Sequence, residues 1–409
     1  MGELVLKRVQ AGIETTRGLA VPATKKLYGG PITINRSQPN RYAVEDRGVF
    51  TDKFRGNKQL VEAGWTWPHD VTYEDEPFYI STFLNGGITA TGGATTGYKW
   101  AFVPDTTTDT LKTMTWESGD EDVQWQAPFS TTDTADYDLK LNDGITASLG
   151  GFASDWIPTT SGDLITSFSG FTPGLTDRDV ESIMGWQARL FVDPDADPIG
   201  TTQILGRFIS STWSYHNQNK RKYFGDAGIR FSRLGRGRRQ VQCSAEFEAL
   251  DTAQYADYEE TNRLAVRIGL YGTQIPGTSA LGTTNASIPG GPSASAVTAI
   301  VTSAATSSAL SAGQGILVGD QTFVVGPAGA SSGVTSIPVN SQVPDATIPA
   351  TSDIVPARTG LYDFWGVWDN FSIGSRDTNT TFKFDLMAMY SLTAGKECAI
   401  TIFNGSSTL

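Results

Sequence analysis

The stretch Phe50-Thr-Asp-Lys-Phe-Arg-Gly-Asn-Lys-Gln-Leu60 recurs later in the chain as Phe231-Ser-Arg-Leu-Gly-Arg-Gly-Arg-Arg-Gln-Val241. The two windows align without a gap and share a phenylalanine, an arginine, a glycine and a glutamine at matching positions. An alternating apolar strand and then a segment rich in acidic and aromatic residues follow each copy. Since internal repeats determine the architecture of a chain, this recurrence predicts two copies of one β-rich unit.

The composition of the 409-residue chain favours sheets over long helices. Threonine, glycine and aromatic residues are abundant, whereas charged residues make up only 18% of the chain. The formal net charge of −12 disfavours a simple nucleic-acid binder, which would carry a basic footprint. No run of about 18 apolar residues occurs, so we expect no membrane insertion. We predict a mainly β protein, a β-sandwich or barrel with short flanking helices.

Changes in composition divide the chain into three parts. The first unit is predicted to span residues 1–165, including an extended N-terminal arm. The second unit comprises residues 166–272 and 359–409, because it is interrupted and then completed. The intervening residues 273–358 are rich in Ala, Ser, Thr, Gly and Pro, lack lysine and contain a single aromatic residue. Their Val/Ile spacing favours a small inserted β domain, expected on the exterior, over the alternative of a disordered linker.

Local patterns predict several elements in each unit. Acids and a proline precede an apolar-periodic segment at residues 74–84, which is typical of a helix N-terminus. A second helix is predicted over residues 252–264, and residues 315–325 predict a hairpin with a Gly-Asp turn. Residues 36–58 and 215–240 lack any hydrophobic period and are interpreted as long loops, while residues 135–149 alternate and predict one strand.

Residues that usually carry catalysis or bind metals are scarce. The candidates are His69, His216, Cys243, Cys398 and the acidic turn containing Asp193, Asp195 and Asp197. The cysteines fit two buried thiols better than a disulfide framework, and the residues present do not form a Cys/His metal motif. The acidic turn allows calcium binding or a solvated turn, but it lacks the glycine and terminal glutamate of an EF-hand loop. We therefore expect no enzymatic activity, no metal and no cofactor, and a β-sandwich hydrolase using the Asp cluster is a minor alternative.

Ten tryptophans raise the alternative of a carbohydrate-binding or adhesive β-sandwich, because flat aromatic rings stack on sugars. Most of them lie in or beside alternating strand patterns. Cores and subunit interfaces take large aromatic residues more often than sugar platforms do, so we favour packing roles.

The strongest local charge signal is a basic loop between residues 220 and 239. Its basic residues, opposed by one aspartate, are Lys220, Arg221, Lys222, Arg230, Arg233, Arg236, Arg238 and Arg239. A nucleic-acid patch, a solvated loop and a subunit contact are the three interpretations. A basic loop on an acidic body favours self-association, in which electrostatic complementarity sets the register between subunits.

Three passages resemble the tail tube (major tail) proteins of long, non-contractile-tailed bacteriophages. The first is Gly12-Ile-Glu-Thr-Thr-Arg-Gly-Leu-Ala-Val-Pro-Ala-Thr-Lys-Lys-Leu27. The second is Arg236-Gly-Arg-Arg-Gln-Val-Gln-Cys-Ser-Ala-Glu-Phe-Glu248, with Tyr255 and Tyr258 on the short helix that follows. The third is Phe382-Lys-Phe-Asp-Leu-Met-Ala-Met-Tyr390 with Ala399-Ile-Thr-Ile-Phe-Asn404. The resemblance covers nearly the whole chain except residues 273–358.

The resemblance implies a β-sandwich with a short helix, in which one sheet of each subunit joins its neighbours to close an inner barrel. A long loop would reach the adjacent ring. Such a protein would stack rings into the tail tube of a virion, assembled in the host cytoplasm. Its partners would be itself, the tape-measure protein and the tail terminator and tip proteins, with DNA only in transit through an acidic lumen.

Two fused units in one chain predict a trimeric ring with pseudo-sixfold symmetry, with a hexamer as the alternative. A head-to-tail contact of this kind generates rings or open filaments. The residues expected to contact other subunits or rings are Arg55, Lys58, Arg221, Arg230, Arg233, Arg236, Arg238 and Arg239.

Overall fold

The structure is a computed structural model of the chain. The residues that it describes are 7–48, 53–105, 107–120, 122–158, 170–178, 180–225, 228–250, 252–376 and 379–409. Strands account for 51% of the chain and helices for 5%, so the predicted mainly β class is confirmed.

Twelve strands and one helix lie among the described residues before residue 160. They are β1 (Arg8–Ile13), β2 (Lys25–Lys26), β3 (Thr33–Ser37), β4 (Asn40–Val44), β5 (Lys53–Lys58), β6 (Glu62–Asp70), α1 (Glu76–Phe83), β7 (Thr91–Gly93), β8 (Gly97–Phe102), β9 (Met114–Gly119), β10 (Gln124–Lys140), β11 (Thr146–Ala153) and β12 (Ile157–Pro158).

Fourteen strands and a second helix follow among the described residues. They are β13 (Ala188–Pro194), β14 (Phe208–His216), β15 (Lys220–Lys222), β16 (Arg233–Gly235), β17 (Gln240–Glu248), α2 (Ala253–Glu259), β18 (Leu264–Gln274), β19 (Gly282–Thr283), β20 (Val297–Val301), β21 (Gly315–Val318), β22 (Gln321–Val324), β23 (Ser336–Gln342), β24 (Asp353–Arg376), β25 (Asn379–Ala388) and β26 (Cys398–Asn404).

The two halves of the chain use the same strand order. β1, β3, β6, β9, β10, β11 and β12 correspond in sequence to β13, β14, β17, β18, β24, β25 and β26. Six antiparallel pairings recur: β1–β9 as β13–β18, β9–β10 as β18–β24, β10–β11 as β24–β25, β11–β6 as β25–β17, β6–β3 as β17–β14 and β10–β12 as β24–β26. In each half a hairpin separates the same two strands, and a helix follows the second of them.

Both predicted helices are present, but their environments differ. α1 begins with a glutamate and a proline in its first turn, as the sequence indicates, and all of its residues are buried. α2 covers a shorter range than predicted, and none of its residues is buried. Helix α1 packs between the two halves of the chain, whereas one side of α2 faces outward.

Several local predictions are wrong in detail. Residues 36–58 and 215–240, interpreted as loops, contain the hairpins β4–β5 and β15–β16. The strands of the first hairpin are exposed on both faces, so they carry no hydrophobic alternation that a pattern search could detect. The N-terminal arm contributes β1 and β2 to the fold. The single strand predicted at 135–149 is the end of β10, a turn and the start of β11.

The inserted residues 273–358 have a hydrophobic core of their own. Eleven buried apolar residues, among them Ile300, Ile316 and Phe323, form a cluster separate from the main core. The predicted hairpin is β21–β22, and its turn contains Gly319 in the left-handed region with φ of 60°. The insertion enters and leaves through neighbouring strands, since Ile275 N–H donates to the Pro356 carbonyl at 3.1 Å.

Candidate functional site: a sheet with two free edges

Eight strands form one continuous antiparallel sheet, in the order β3-β6-β11-β10-β14-β17-β25-β24. The sheet has two ends. β3 pairs with β6, and no other described strand pairs with it. From Val367 onwards β24 pairs with β25 alone among the described strands. Unpaired edges are templates for pairing with another chain, so these two edges are the candidate site.

The two halves of the chain meet in the middle of this sheet, where β10 pairs with β14. We call this β10–β14 contact the internal joint. Seven residue pairs form it, from Thr134 opposite His216 to Lys140 opposite Ser210. At its centre the ring of Tyr137 stacks on that of Trp213, with ring centroids 5.0 Å apart. The internal joint therefore combines a backbone ladder with a buried aromatic contact.

A buried carboxyl group lies beneath the internal joint. The hydroxyl groups of Tyr137 and Tyr362 donate to Oε2 of Glu76 at 3.1 and 3.0 Å. Oε1 of Glu76 has no hydrogen-bond partner among the described residues. Because burial disfavours the charged form, it raises the pKa of Glu76 from 4.5 to about 8. The carboxyl group is therefore protonated at neutral pH.

The free part of β24 has the same register as the part of β10 that forms the internal joint. The β10–β11 pairing skips one residue between Thr132 and Thr134, and the β24–β25 pairing skips one between Trp368 and Asn370. The skipped residues are Asp133 and Asp369.

The residues four places beyond these aspartates are therefore equivalent. Tyr137 pairs with Ala147 on β11, and Ile373 pairs with Phe382 on β25. Tyr137 is 2% exposed, whereas Ile373 is 66% exposed. The position that the internal joint covers in the first half is thus open in the second half.

The free edge β3 is likewise equivalent to β14. In the first half, Ile34 on β3 pairs with Trp65 on β6, which pairs with Gly151 on β11. In the second half, Trp213 on β14 pairs with Cys243 on β17, which pairs with Leu386 on β25.

Gly151 pairs with Thr132, and Leu386 pairs with Trp368. These two residues directly precede the skipped residues Asp133 and Asp369. Ile34 is therefore the counterpart of Trp213, just as Ile373 is the counterpart of Tyr137. The two free edges thus match, position for position, the two strands of the internal joint.

The face of the sheet opposite the main core is polar and concave. It holds a groove of about 750 Å³, lined by residues from β10, β11, β14, β17, β24 and β25. The described acids that alternate onto this face of the strands are Glu62, Asp70, Asp136, Asp138, Glu246, Glu248 and Asp385, against Lys140 and Lys383. This excess of negative charge disfavours retention of a polyanion on the face.

Four arginines of the predicted basic loop form ion pairs with acids of the same chain, and in three of them the pair is shorter than 3 Å. Arg230 pairs with Asp155 at 2.6 Å, Arg236 with Asp109 at 2.9 Å and Arg239 with Glu397 at 2.9 Å. Asp155 also binds Arg36 of the edge strand β3 at 2.6 Å. These pairs attach the loop to its own subunit.

The remaining predicted contact residues are divided between two places. Arg221 is half-buried; it stacks over Phe152 at 4.7 Å and lies 4.0 Å from the carboxylate of Glu62. Arg55 and Lys58 lie on the exposed hairpin β4–β5, where Arg55 pairs with Glu45. Arg233, the first residue of β16, and Arg238, which follows that strand, are exposed. The structure therefore does not gather the eight residues into one basic surface.

The gapless sequence alignment of the repeat has the wrong register. Glu62, opposite Ser37, and Gln240, opposite His216, begin the equivalent strands β6 and β17. The alignment instead matches Gln59 with Gln240. A shift by an odd number of residues exchanges the two faces of a strand, so this alignment could not identify the matching core positions. Phe50, the first residue of the first window, lies outside the described residues.

The histidines and the acidic turn predicted as candidates for catalysis or metal binding contact other residues of the fold. His69 is buried and stacks on Trp67, and burial lowers the pKa of His69 to about 4. His216 contacts Asp136 at 2.8 Å on the polar face. Asp193 accepts three backbone N–H groups of the turn that follows it, at 2.7 to 3.1 Å. Within the described ranges, no group of three or more His, Cys, Asp or Glu residues could hold a metal ion.

The two cysteines are buried free thiols, as the sequence predicts. Burial raises the pKa of Cys243 to about 12 and also raises that of Cys398. Both groups are therefore protonated and shielded from reagents in the folded chain.

Sequence reasoning missed the two free edges and the residues on them, Ile34, Asp369 and Ile373. Apolar and polar residues alternate along β24 and β25 in the sequence, but this alternation does not reveal on which side a strand has no neighbouring strand. In the described part of the chain, no helix is long and apolar enough to cross a membrane. A scan against protein-family models found no match, and a search of curated proteins found no significant relative.

Proposed function

We propose that the protein is a structural subunit that assembles through the two free edges of its eight-stranded sheet into closed rings. The rings would stack into a hollow tube of the phage tail-tube kind, which conducts DNA and holds the tape-measure protein. The observation that carries the proposal is the internal joint. A second copy that brings its β3 to the free part of β24 would repeat a contact that the chain already makes between its own halves.

Closure of the sheet within one chain is disfavoured. A barrel of about eight strands has an interior just wide enough to be filled by side chains. Here that interior would enclose the polar face, with seven acids and two lysines. Burying unpaired charges is strongly unfavourable, so the sheet would not close on itself and both of its edges stay available to other copies.

Three copies per ring fit the two-unit chain and give pseudo-sixfold symmetry, with six copies as the alternative. Three copies supply three times eight strands. At about 4.8 Å between strands and a tilt of about 40°, such a barrel is about 48 Å across its backbones. After subtraction of the inward side chains, a DNA duplex still fits. The acidic polar face would line this lumen, and repulsion of phosphates would let DNA slide.

Stacking of rings would use surfaces away from the sheet edges. The hairpin β4–β5 is exposed on both faces, and it carries Arg55 and Lys58. Arg233 and Arg238 offer further exposed charge. Arg230, Arg236 and Arg239 would serve within the subunit, because acids of the same chain already hold them. Tail terminator and tip proteins would bind the ends of the tube in the virion, after assembly in the host cytoplasm.

The alternative of a carbohydrate-binding or adhesive protein has less support. Eight of the ten tryptophans are buried, and Trp186 is the one that is largely exposed at 68%. A sugar platform needs exposed aromatic faces, whereas these rings fill the core.

Electron microscopy and light scattering of the purified protein over a range of concentrations test the proposal. Wild-type protein should form rings or tubes. Ile373→Lys should remain monomeric and folded, because the exposed side chain contributes little to the fold but a lysine blocks the edge. Val301→Lys, an exposed position in the insertion, is the matched control and should assemble. Wild-type protein that stays monomeric at all concentrations, with and without tail partners, would contradict the proposal.

A further inference from the structure

The internal joint is fastened by an aspartate at the point where β10 changes neighbours. Oδ1 of Asp133 accepts the backbone N–H of Asn219 at 2.6 Å. The carbonyl of Asp133 accepts the N–H of Asn217 at 2.8 Å. A β-bulge interrupts the regular ladder and redirects a side chain, so Asp133 can hold the chain leaving β14 instead of pairing with β11. The contacts of Asp133 with Asn217 and Asn219 form in only one register of β14 against β10.

The same chemistry recurs on the two free edges. Asp369 lies at the equivalent bulge of β24, it is exposed, and its carboxylate makes no ion pair or hydrogen bond with the other described residues. Counting on from Ser37, the counterpart of His216, places Gln38 where Asn217 stands and Asn40 where Asn219 stands. An aspartate therefore stands at the bulge in both halves. Asn40 matches Asn219 in residue type, and Gln38 is a conservative replacement of Asn217.

From this correspondence we propose that Asp369 fixes the register of the joint between chains by accepting the backbone N–H of Asn40 of a second copy. The inference rests on the proposed ring assembly and adds the residue pairs. The joint between chains is antiparallel and runs from Asn370 opposite Ser37 to Gly374 opposite Thr33. Ile373 of one copy then lies opposite Ile34 of the next.

The helices provide independent support. Asn217 donates its side-chain Nδ2 to the carbonyl of Phe83, the last residue of α1, at 2.8 Å. This contact helps the second half of the chain to cover α1, which is fully buried. α2 has no buried residue. In the proposed joint, Gln38 of the second copy reaches the end of α2 in the same way, and the uncovered helix gains the cover that its counterpart has.

A foreign edge strand is the competing occupant of β24. Such a strand can extend the ladder through its backbone, but it would not place an amide residue at the bulge, nor an isoleucine opposite Ile373, except by coincidence. The second copy is favoured because both edges of this one chain match the two strands of the internal joint. The proposal therefore predicts a cross-link between two positions of the same sequence.

Disulfide cross-linking measures the register directly. Ile34→Cys combined with Ile373→Cys should yield, under mild oxidation, a ladder of covalent oligomers that ends at the closed ring on non-reducing gels. Ile34→Cys combined with Ser372→Cys is the matched control and should not cross-link, because neighbouring residues of a strand point to opposite faces. The two native cysteines are buried and do not interfere.

Substitution of the aspartate tests its role. Asp369→Ala should raise the concentration at which half of the protein is assembled at least tenfold, with an unchanged melting temperature of the monomer. Asp320→Ala, on the turn of the inserted hairpin, should leave that concentration unchanged. Rings that form without the Ile34–Ile373 cross-link, or that form equally well with Asp369→Ala, would overturn the register inference while the proposed function stands. Absence of rings from wild-type protein would instead overturn both.

Discussion

Replacement of Glu76 by glutamine should make the stability of the protein less dependent on pH. Glu76 is fully buried below the internal joint, and burial raises the pKa of its carboxyl group from 4.5 to about 8. Between these two pH values the folded chain keeps a proton that the unfolded chain has released. Stability therefore falls as pH rises through this window, and the loss is complete above pH 8. Below pH 4.5 both states are protonated, and the group contributes no pH dependence.

The size of the effect follows from the shift. One pKa unit corresponds to about 1.4 kcal/mol, so the whole shift amounts to about 5 kcal/mol, of which about 4 kcal/mol falls between pH 5 and pH 8. Glutamine can accept the same two tyrosine hydroxyl groups but cannot ionise. Its amide nitrogen would replace Oε1, which has no partner among the described residues. Burying that nitrogen changes the free energy of unfolding by the same amount at every pH. The prediction therefore concerns how the free energy of unfolding changes with pH, not its value at one pH.

Urea denaturation from pH 5 to pH 9 measures this slope. Both proteins should carry Ile373→Lys, so that assembly does not contribute. We expect the stability of Glu76→Gln relative to the parent to rise by about 4 kcal/mol between pH 5 and pH 8. Glu62→Gln, at an exposed position of β6, is the control and should give a constant difference. Parallel pH profiles for Glu76→Gln and its parent would refute the reasoning that the carboxyl group is protonated when buried.

Three further outcomes are expected. Asp155→Asn should lower the free energy of unfolding by about 2–3 kcal/mol in urea titrations, because it leaves two arginines without a buried partner, while Asp177→Asn at the exposed surface should leave it nearly unchanged. Cys243 and Cys398 should both react with a thiol reagent only on unfolding, and labelling of either at the rate of a free thiol in native buffer would contradict their burial. Replacing residues 277–355 by a short Gly-Ser link should leave ring formation intact, as judged by electron microscopy, since the chain enters and leaves the insertion at one place; loss of rings with a folded core would show that the insertion takes part in assembly.

Much of the fold could be predicted from local signals. The acids and proline at residues 74–77 predicted the start of α1, because both are favourable at a helix N-terminus. The Gly-Asp turn predicted the hairpin β21–β22. The hairpin β4–β5 could not be predicted, since both of its faces are exposed and no periodicity results. The basic loop was visible as charge, but three of its arginines bind Asp109, Asp155 and Glu397, which are distant in sequence.

The sequence by itself determined that the chain is rich in strands, that it contains two related halves, and that an insertion of different composition interrupts the second. These are properties of composition and order, and local residue preferences are enough to express them. Only the tertiary structure decided the register of the repeat and the identity of the free edges. Pairing depends on contacts between strands far apart in sequence, and a one-residue shift, invisible in a weak alignment, exchanges the faces of a strand. Ile373 therefore has the pattern of a core residue in the sequence, and the fold places it on an edge that has no neighbouring strand within the described chain.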